Sequence, residues 1–268
     1  MMHSLISTRD IGRSKPVLLN DACTGCRSGT PLPIDITMAF QPIVDIRAGR
    51  VFAYEALVRG VAGETAGEIL SSVSAEMVYK FDQACRVKAI ELAGRLFAPQ
   101  DDAKLSINFM PNAVYEPDAC IRASLAAAKR VGFDPRRLMF EFTENERMDD
   151  VAHVQRIIDA YRARGFTTAI DDFGAGYAGL GLLADLRPDM LKLDMALIRG
   201  IDSSTSRQVI VAGVARIAEA LGIRCIAEGI ETSAELCTLR DLGISLCQGY
   251  LLARPVVASL PPFVIQAL

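Results

Sequence analysis

The sequence predicts an α/β fold, a TIM-like (β/α)8 barrel whose first strand runs antiparallel to the others. Three observations carry that prediction. Strand-like and helical segments alternate along the chain, with eight strand candidates, six of them followed by helical periodicity. The 268 residues are 51% hydrophobic, enough for one large core. The chain also opens with a hairpin, strands at 36–44 and 51–58 joined by residues 45–50, and a link that short suits antiparallel neighbours. Eight strands in one domain favour closure over an open sheet.

The elements follow in order. Residues 1–35 are polar and irregular and end in Pro31-Leu32-Pro33, so they read as a tail ahead of a barrel over 36–268. After the hairpin, helical periodicity covers about 68–97, and alternating apolar positions mark a strand at 104–110. A helix at 117–131 leads to a short strand at 138–142. Asp149 or Asp150 is placed to cap a helix ending at 164. The strand at 166–170 precedes Asp171-Asp172, then come a short helix at 178–185 and a strand at 190–193. Ser203 and Ser204 are available to cap a long helix reaching 221. A strand at 224–227, a helix at 233–242 and a strand at 244–251 complete the set, with an apolar segment behind them.

Composition excludes several classes. The net charge of −3 gives no basic footprint for duplex nucleic acid. No apolar run reaches membrane-spanning length; the nearest, 209–223, is interrupted by Arg216 and Glu219. The N-terminus lacks a charged segment followed by an apolar core, so no secretory signal is expected and a cytoplasmic location is. Seven cysteines is an odd number, and Cys85, Cys120, Cys225, Cys237 and Cys247 sit singly in apolar segments, the pattern of free thiols in a reducing compartment. The two histidines are His3, in the tail, and His153, expected to be solvated on an amphipathic helix. That leaves no His-rich zinc site, no HExxH protease and no Ser-His-Asp triad.

The chemistry concentrates where strands end. Asp171 and Asp172 are adjacent, with Phe173-Gly174-Ala175-Gly176 next. Unit charges about 4 Å apart repel by roughly 4 kcal/mol at an effective dielectric near 20, so a cation or a proton has to offset them. The other strand ends carry Glu55, Asn108, Glu141 with Glu144 beyond, Lys192 with Asp194, Glu228 with Glu231, and Gln248. A barrel gathers these groups at its C-terminal mouth. Taken singly, a strand-end acid is usually a helix cap or a surface charge, and a lysine is usually solvated. Recurrence at the same end of strand after strand has no such explanation. Oxygen donors of this kind suit Mg²⁺, Mn²⁺ or Ca²⁺, and two such ions mark phosphoryl chemistry.

Gly174, Gly176 and Gly179 also match G-x-G-x-x-G, with Asp194 at a distance suited to a ribose. Asp171-Asp172 ahead of that loop would repel a pyrophosphate, which argues against a dinucleotide site. Asp172-Phe173-Gly174 has the letters of a kinase metal loop, but no HRD segment precedes it.

Glu55-Ala56-Leu57-Val58-Arg59 resembles the signature of the EAL family of cyclic-di-GMP phosphodiesterases. The resemblance continues through Gln41-Pro42-Ile43-Val44, Asn108, Glu141-Phe142-Thr143-Glu144, residues 171–176, Lys192-Leu193-Asp194, Ala227-Glu228-Gly229-Ile230-Glu231 and Gln248-Gly249-Tyr250, over roughly 39–255. It implies a barrel with an antiparallel first strand, and hydrolysis of cyclic-di-GMP to linear pGpG with two Mg²⁺ or Mn²⁺ ions, Ca²⁺ being inhibitory. By that resemblance Glu55, Asn108, Glu141 and Asp171 hold one ion, and Asp171 bridges to a second that Asp172 contacts. Glu228 is a ligand of the second ion or the general base, and Lys192 holds the attacking water. Gln41, Leu57, Arg59, Asp194 and Gln248 are implied substrate or water contacts, Arg59 on a phosphate. Glu144 would tie down the loop after strand five, with Glu231 also in a supporting position, and Glu144→Ala is expected to lower activity. A homodimer through that loop and a regulatory protein partner are further implications. Ala175, Ala178, Gly179 and Met195 depart mildly from the family pattern. The alternative on the same fold is a catalytically silent cyclic-di-GMP receptor or protein-interaction module, but no metal-ligand position is vacant here.

Cys23-Thr24-Gly25-Cys26 stands outside the resemblance. A lone CxxC is half a zinc site or a redox pair, and no second CxxC exists in the chain. A flexible tail is the simpler expectation, with a metal shared between chains or a thiol switch as alternatives.

Overall fold

The computed structural model describes residues 32, 34–98, 100–111, 114, 116–143, 150–176 and 179–264. The antiparallel hairpin is β1 (Ile36–Asp45) and β2 (Arg50–Gly60). Next come α1 (Ala66–Ser72), α2 (Val78–Leu96), β3 (Lys104–Asn108), α3 (Pro117–Cys120), α4 (Arg122–Val131) and β4 (Leu138–Thr143). Then follow α5 (Val151–Ala163), β5 (Thr167–Phe173), α6 (Gly179–Asp185), β6 (Met190–Leu193) and α7 (Met195–Ile198). The chain continues through α8 (Thr205–Ala220), β7 (Arg224–Ala227), α9 (Ser233–Asp241), β8 (Leu246–Cys247) and β9 (Val256–Val257).

Strands β2 to β8 pair in parallel in sequence order, and β1 closes the ring by pairing antiparallel with both β2 and β8. The barrel and its reversed first strand are therefore as the sequence predicts. Ahead of β1, the Asp35 carbonyl accepts from the Val61 amide at 3.0 Å, just past the end of β2.

Several boundaries differ from expectation. The periodicity over 68–97 is broken at Val73 and Ser74, because Ser71 and Ser72 turn their hydroxyls onto the carbonyls of Gly67 and Ile69 and end α1 there. The expected 117–131 helix is two pieces meeting at Ile121. Strand β5 runs on through Asp171 and Asp172. Of the expected 244–251 strand only Leu246 and Cys247 pair, and the apolar segment behind it supplies β9, an added edge on β1. Asp150 and Ser204 cap α5 and α8.

Two apolar layers hold the barrel. One lies between strands and helices and includes Phe40, Phe140, Phe142, Tyr161 and Leu191. The other is a separate cluster of Ile43, Ala53, Met139, Ala169, Met190, Ile226 and Leu246. These seven belong to seven different strands and share one parity, so they form a plug inside the ring. Two residues further toward the mouth on each strand, or just past its end, stand Gln41, Glu55, Glu141, Asp171, Lys192, Glu228 and Gln248. Strand periodicity alone stacks a polar layer on an apolar floor.

Candidate active site

Lys192 is the centre of that polar layer. Its ammonium lies 2.7 Å from Glu141 Oε2, 2.9 Å from Glu228 Oε1, 3.0 Å from Asp171 Oδ1 and 3.6 Å from Glu55 Oε1. Lys192 is 1% exposed and Glu141 is fully buried. Burial pulls the Lys192 pKa down, but Asp171, Glu141, Glu228 and Glu55 outweigh it and the net shift is well upward. The carboxyls shift too. Burial pushes Glu141 up to about 8, with Glu55 and Asp171 adding to it and Lys192 opposing. Glu228 is raised well above the usual range by burial and by Asp171. More negative charge is gathered here than one ammonium can balance.

The flanking residues fix these carboxylates. Ser106 donates its hydroxyl to Glu141 Oε1. Asn108 Nδ2 donates to Glu55 Oε1 at 3.2 Å, and Gln248 Nε2 donates to Glu55 Oε2 at 2.7 Å and to Gln41 Oε1 at 3.3 Å. Gln41 in turn donates to the Ala253 carbonyl at 3.1 Å.

Asp172 shows how the backbone re-aims a side chain. Consecutive strand residues normally face opposite sides of a sheet, which would turn Asp172 away from Asp171. The β5–β6 register shifts between Ile170 and Phe173, and Asp172 takes φ +56°, a left-handed conformation rare outside glycine. That strain costs on the order of 1–3 kcal/mol. It puts Asp172 on the wall of the cleft with its amide on Asp171 Oδ1 at 2.9 Å. Burial and the charges of Asp171 and Asp194 raise its pKa.

Two carboxylate triads result, Glu55–Glu141–Asp171 and Asp171–Asp172–Glu228, each with one oxygen per residue within 4.8 Å of the others. Asp171 belongs to both. Two adjacent all-oxygen sets sharing a member, with excess negative charge, fit a pair of hard divalent cations.

Above the triads opens a cleft of about 380 Å³, whose lining includes Gln41, Leu57, Asp194, Glu231 and Gln248. Asp194 also caps α7, accepting from the Ala196 amide at 2.7 Å. Arg59 is not among the lining residues; its Nη1 donates to the Val58 carbonyl at 2.6 Å. Glu144, Cys23 and Cys26 lie outside the described residues. His153 is not solvated as expected: its Nε2 lies 2.6 Å from the Val114 carbonyl, and the ring is half-buried. Cys85, Cys120, Cys225, Cys237 and Cys247 are all free thiols.

Sequence reasoning missed Ser106, Met195, Arg199 and Tyr250. Ser106 had a signal, since it shares Asn108's face of β3. Met195 lines the cleft from the first position of the one-turn α7, and Arg199 and Tyr250 line it from turns, where no periodicity reports orientation. Gly249 permits that wall, because a Cβ there would come within 2.1 Å of the Ile230 carbonyl oxygen.

Comparison with known proteins follows the same lines. A family model described as EAL domain matches residues 34–255. The blue light- and temperature-regulated antirepressor BluF of Escherichia coli (strain K12) is 32% identical over 224 residues, covering 83% of this chain and 55% of its own length. A cyclic di-GMP phosphodiesterase of Pseudomonas aeruginosa is 30% identical over 226 residues, covering 82% of this chain and 38% of its own. The chain thus spans about half, or less, of the length of these curated relatives. Among solved structures, a standalone versatile EAL protein of Vibrio cholerae O395 in its c-di-GMP-bound form is similar at a TM-score of 0.83 and 50% identity, covering 87% of this chain and 98% of that one. Klebsiella pneumoniae BlrP1 is similar in its manganese and cyclic diGMP complex at pH 6, with a TM-score of 0.76, 38% identity, and coverage of 88% of this chain and 58% of that one. Its calcium and cyclic diGMP complex aligns at a TM-score of 0.79, with 38% identity and coverage of 85% and 57%.

Proposed function

The chain belongs to the EAL domain family, and we propose that it hydrolyses one phosphodiester bond of cyclic-di-GMP to give linear pGpG, lowering that second messenger in the bacterial cytoplasm. The observation that carries this reading is the pair of carboxylate triads joined at Asp171. Glu55, Asn108, Glu141 and Asp171 would hold one Mg²⁺ or Mn²⁺, and Asp171 and Asp172 the second. When bound, such ions lower the pKa of water and offset the charge that builds on the phosphate. Ca²⁺ would bind the same oxygens without supporting turnover.

The chain's own groups do the rest. Lys192 stays charged at neutral pH and donates to the attacking water, which it positions beside Asp171 and Glu228. Glu228, at 2.9 Å from the Lys192 ammonium and in one triad with Asp171 and Asp172, would either join them on the second ion or take the proton of the attacking water. Gln41, Leu57, Asp194 and Gln248 line the space where the nucleotide would lie, and Arg59 is assigned a phosphate from the rim. Glu144 is assigned the anchoring of the loop after β5.

The same reading assigns residues 36–268 to the barrel and residues 1–35 to a segment ahead of it, of which Leu32 and Ile34 pack against the barrel's core. A homodimer through the loop after β5 is part of the same reading. It is supported by Leu180 of α6, 51% exposed, which lines a surface hollow with Ile217 of α8 and Leu221 just past its end. A regulatory protein partner is a further part of the proposal.

The test is incubation with cyclic-di-GMP and Mn²⁺, followed by separation of the nucleotides. Linear pGpG from the wild type, and none from Asp171→Asn, supports the enzyme. Binding without pGpG overturns it in favour of the silent receptor, the second reading, which similarity to an antirepressor favours.

A further inference from the structure

The cleft presents a charge problem to any anionic nucleotide. Glu55, Asp172, Asp194, Glu228 and Glu231 line it, and among the described lining residues Arg199 is the one cation. Divalent ions at the triads would offset the triad carboxylates only. A substrate carrying two phosphates also meets Asp194 and Glu231, which belong to neither triad, and Arg199 lines the cleft with them.

Arg199 is held in a specific way. Its Nη1 and Nη2 each donate to one oxygen of Glu231, a two-pronged pair that fixes the plane of the guanidinium. Each terminal nitrogen keeps a second N–H that this pairing does not use. Nε is buried and has no acceptor among the described residues, so the donors left for a ligand are those of the terminal nitrogens. Glu231 alone does not place this pair, because the two residues sit on different loops, one after α7 and one after β7. The link is Glu235, 3% exposed at the start of α9. Its Oε1 accepts from the Gly200 amide at 2.9 Å, next to Arg199. Its Oε2 accepts from the amides of Glu231 at 2.9 Å and Thr232 at 3.0 Å. One carboxylate thus binds the backbone on both sides of the pair. Burial alone would raise its pKa, but these bonds hold it below the usual range, so the staple is ionised at neutral pH.

We propose that Arg199 contacts an anionic oxygen of the nucleotide, with Glu231 aligning its guanidinium and Glu235 fixing the two loops that carry them. The proposal rests on cyclic-di-GMP being the ligand of the cleft. Glu231 and Glu235 are positioning residues in it, acting only through Arg199.

The experiment is steady-state hydrolysis of cyclic-di-GMP by wild type, Arg199→Ala, Arg199→Lys and Glu235→Gln, with melting temperature recorded for each. Loss of one charge-assisted contact should raise KM about tenfold in Arg199→Ala, with kcat moving far less. Arg199→Lys keeps the charge without the fork and should recover part of the loss. Glu235→Gln should raise KM in the same direction by less, and Arg199→Ala should weaken the salt dependence of KM. A wild-type KM in a folded Arg199→Ala overturns the role of Arg199 while leaving the hydrolase intact. Should the wild type bind without turnover, Kd replaces KM and the same ordering is expected. A wild type that neither binds nor hydrolyses the nucleotide overturns both this proposal and the function it rests on.

Discussion

Lys192 and Glu141 meet at 2.7 Å inside the barrel, the lysine 1% exposed and the carboxylate not exposed at all. Neither would be tolerated there alone. Isolated buried charges cost several kcal/mol each; Lys192 persists because Asp171, Glu228 and Glu55 stand around it together with Glu141, and Glu141 because Lys192 and Ser106 serve its two oxygens. Lys192 is thus the cation that lets the acidic layer exist before any metal arrives.

Removing it should therefore be felt first in stability. Lys192→Met should destabilise the metal-free fold by about 3–5 kcal/mol, the range for breaking a buried ion pair from one side. Mn²⁺ should restore much of that loss while activity stays absent. Chemical denaturation with and without Mn²⁺ measures this, and a variant as stable as wild type in chelator contradicts it.

Metal binding should be coupled to protons. Glu141 and Glu228 hold protons above the usual carboxylate range, and a divalent cation has to displace them. Mn²⁺ affinity should rise with pH up to about 8, the value for Glu141, with proton release visible as a buffer-dependent heat in titration calorimetry. Asp171→Asn, which removes the shared member of both triads, should lower stoichiometry from two ions. Two ions bound by that variant, or an affinity flat with pH, would count against the shared-ligand arrangement.

Much of this site was legible in the sequence because strand parity is rigid. Once Ile43, Ala53, Met139, Ala169, Met190, Ile226 and Leu246 are recognised as one interior layer, Gln41, Glu55, Glu141, Asp171, Lys192, Glu228 and Gln248 follow two residues on. What escaped lies where parity stops. The sequence names Asp172 by its place beside Asp171, but not the bulge and the positive φ that turn it to the same side. Arg199 and Glu235 are 36 positions apart in numbering, and only the folded β6 and β7 exits bring them together. β9 is two residues long and exists because β1 offers it an edge. None of these leaves a local pattern.

Glu235 also makes a prediction about acid. Its carboxylate sits below the usual range because three backbone amides outweigh the effect of burial. A depressed pKa gives stability that is present above the unfolded-state value of 4.5 and is lost as pH falls through the lower folded-state value. Glu235→Gln should therefore be less stable than wild type at neutral pH by about 1–3 kcal/mol, the scale of charge-assisted hydrogen bonds. The gap should narrow on acidification below 4.5. Urea midpoints at pH 7 and pH 3 test the sign, and a gap that widens at low pH would refute it.

The apolar hollow between α6 and α8 predicts association. Leu180→Asp combined with Leu221→Asp should halve the solution mass measured by light scattering and leave the melting temperature near wild type, since both side chains are half exposed. A wild-type mass already equal to one chain, or an unchanged mass in the double variant, would remove this face from the dimer.

The reversed first strand has a consequence for chain entry. In a barrel whose strands all run one way, the polypeptide enters at the end remote from the chemistry. Here β1 descends from the mouth, and the Asp35 carbonyl is bonded to the Val61 amide just past the end of β2. The described chain therefore enters the barrel at Asp35, on the same rim as the cleft. Chain entry and the candidate site thus share one face of the barrel, and no barrel length separates Asp35 from the strand ends that carry the carboxylates.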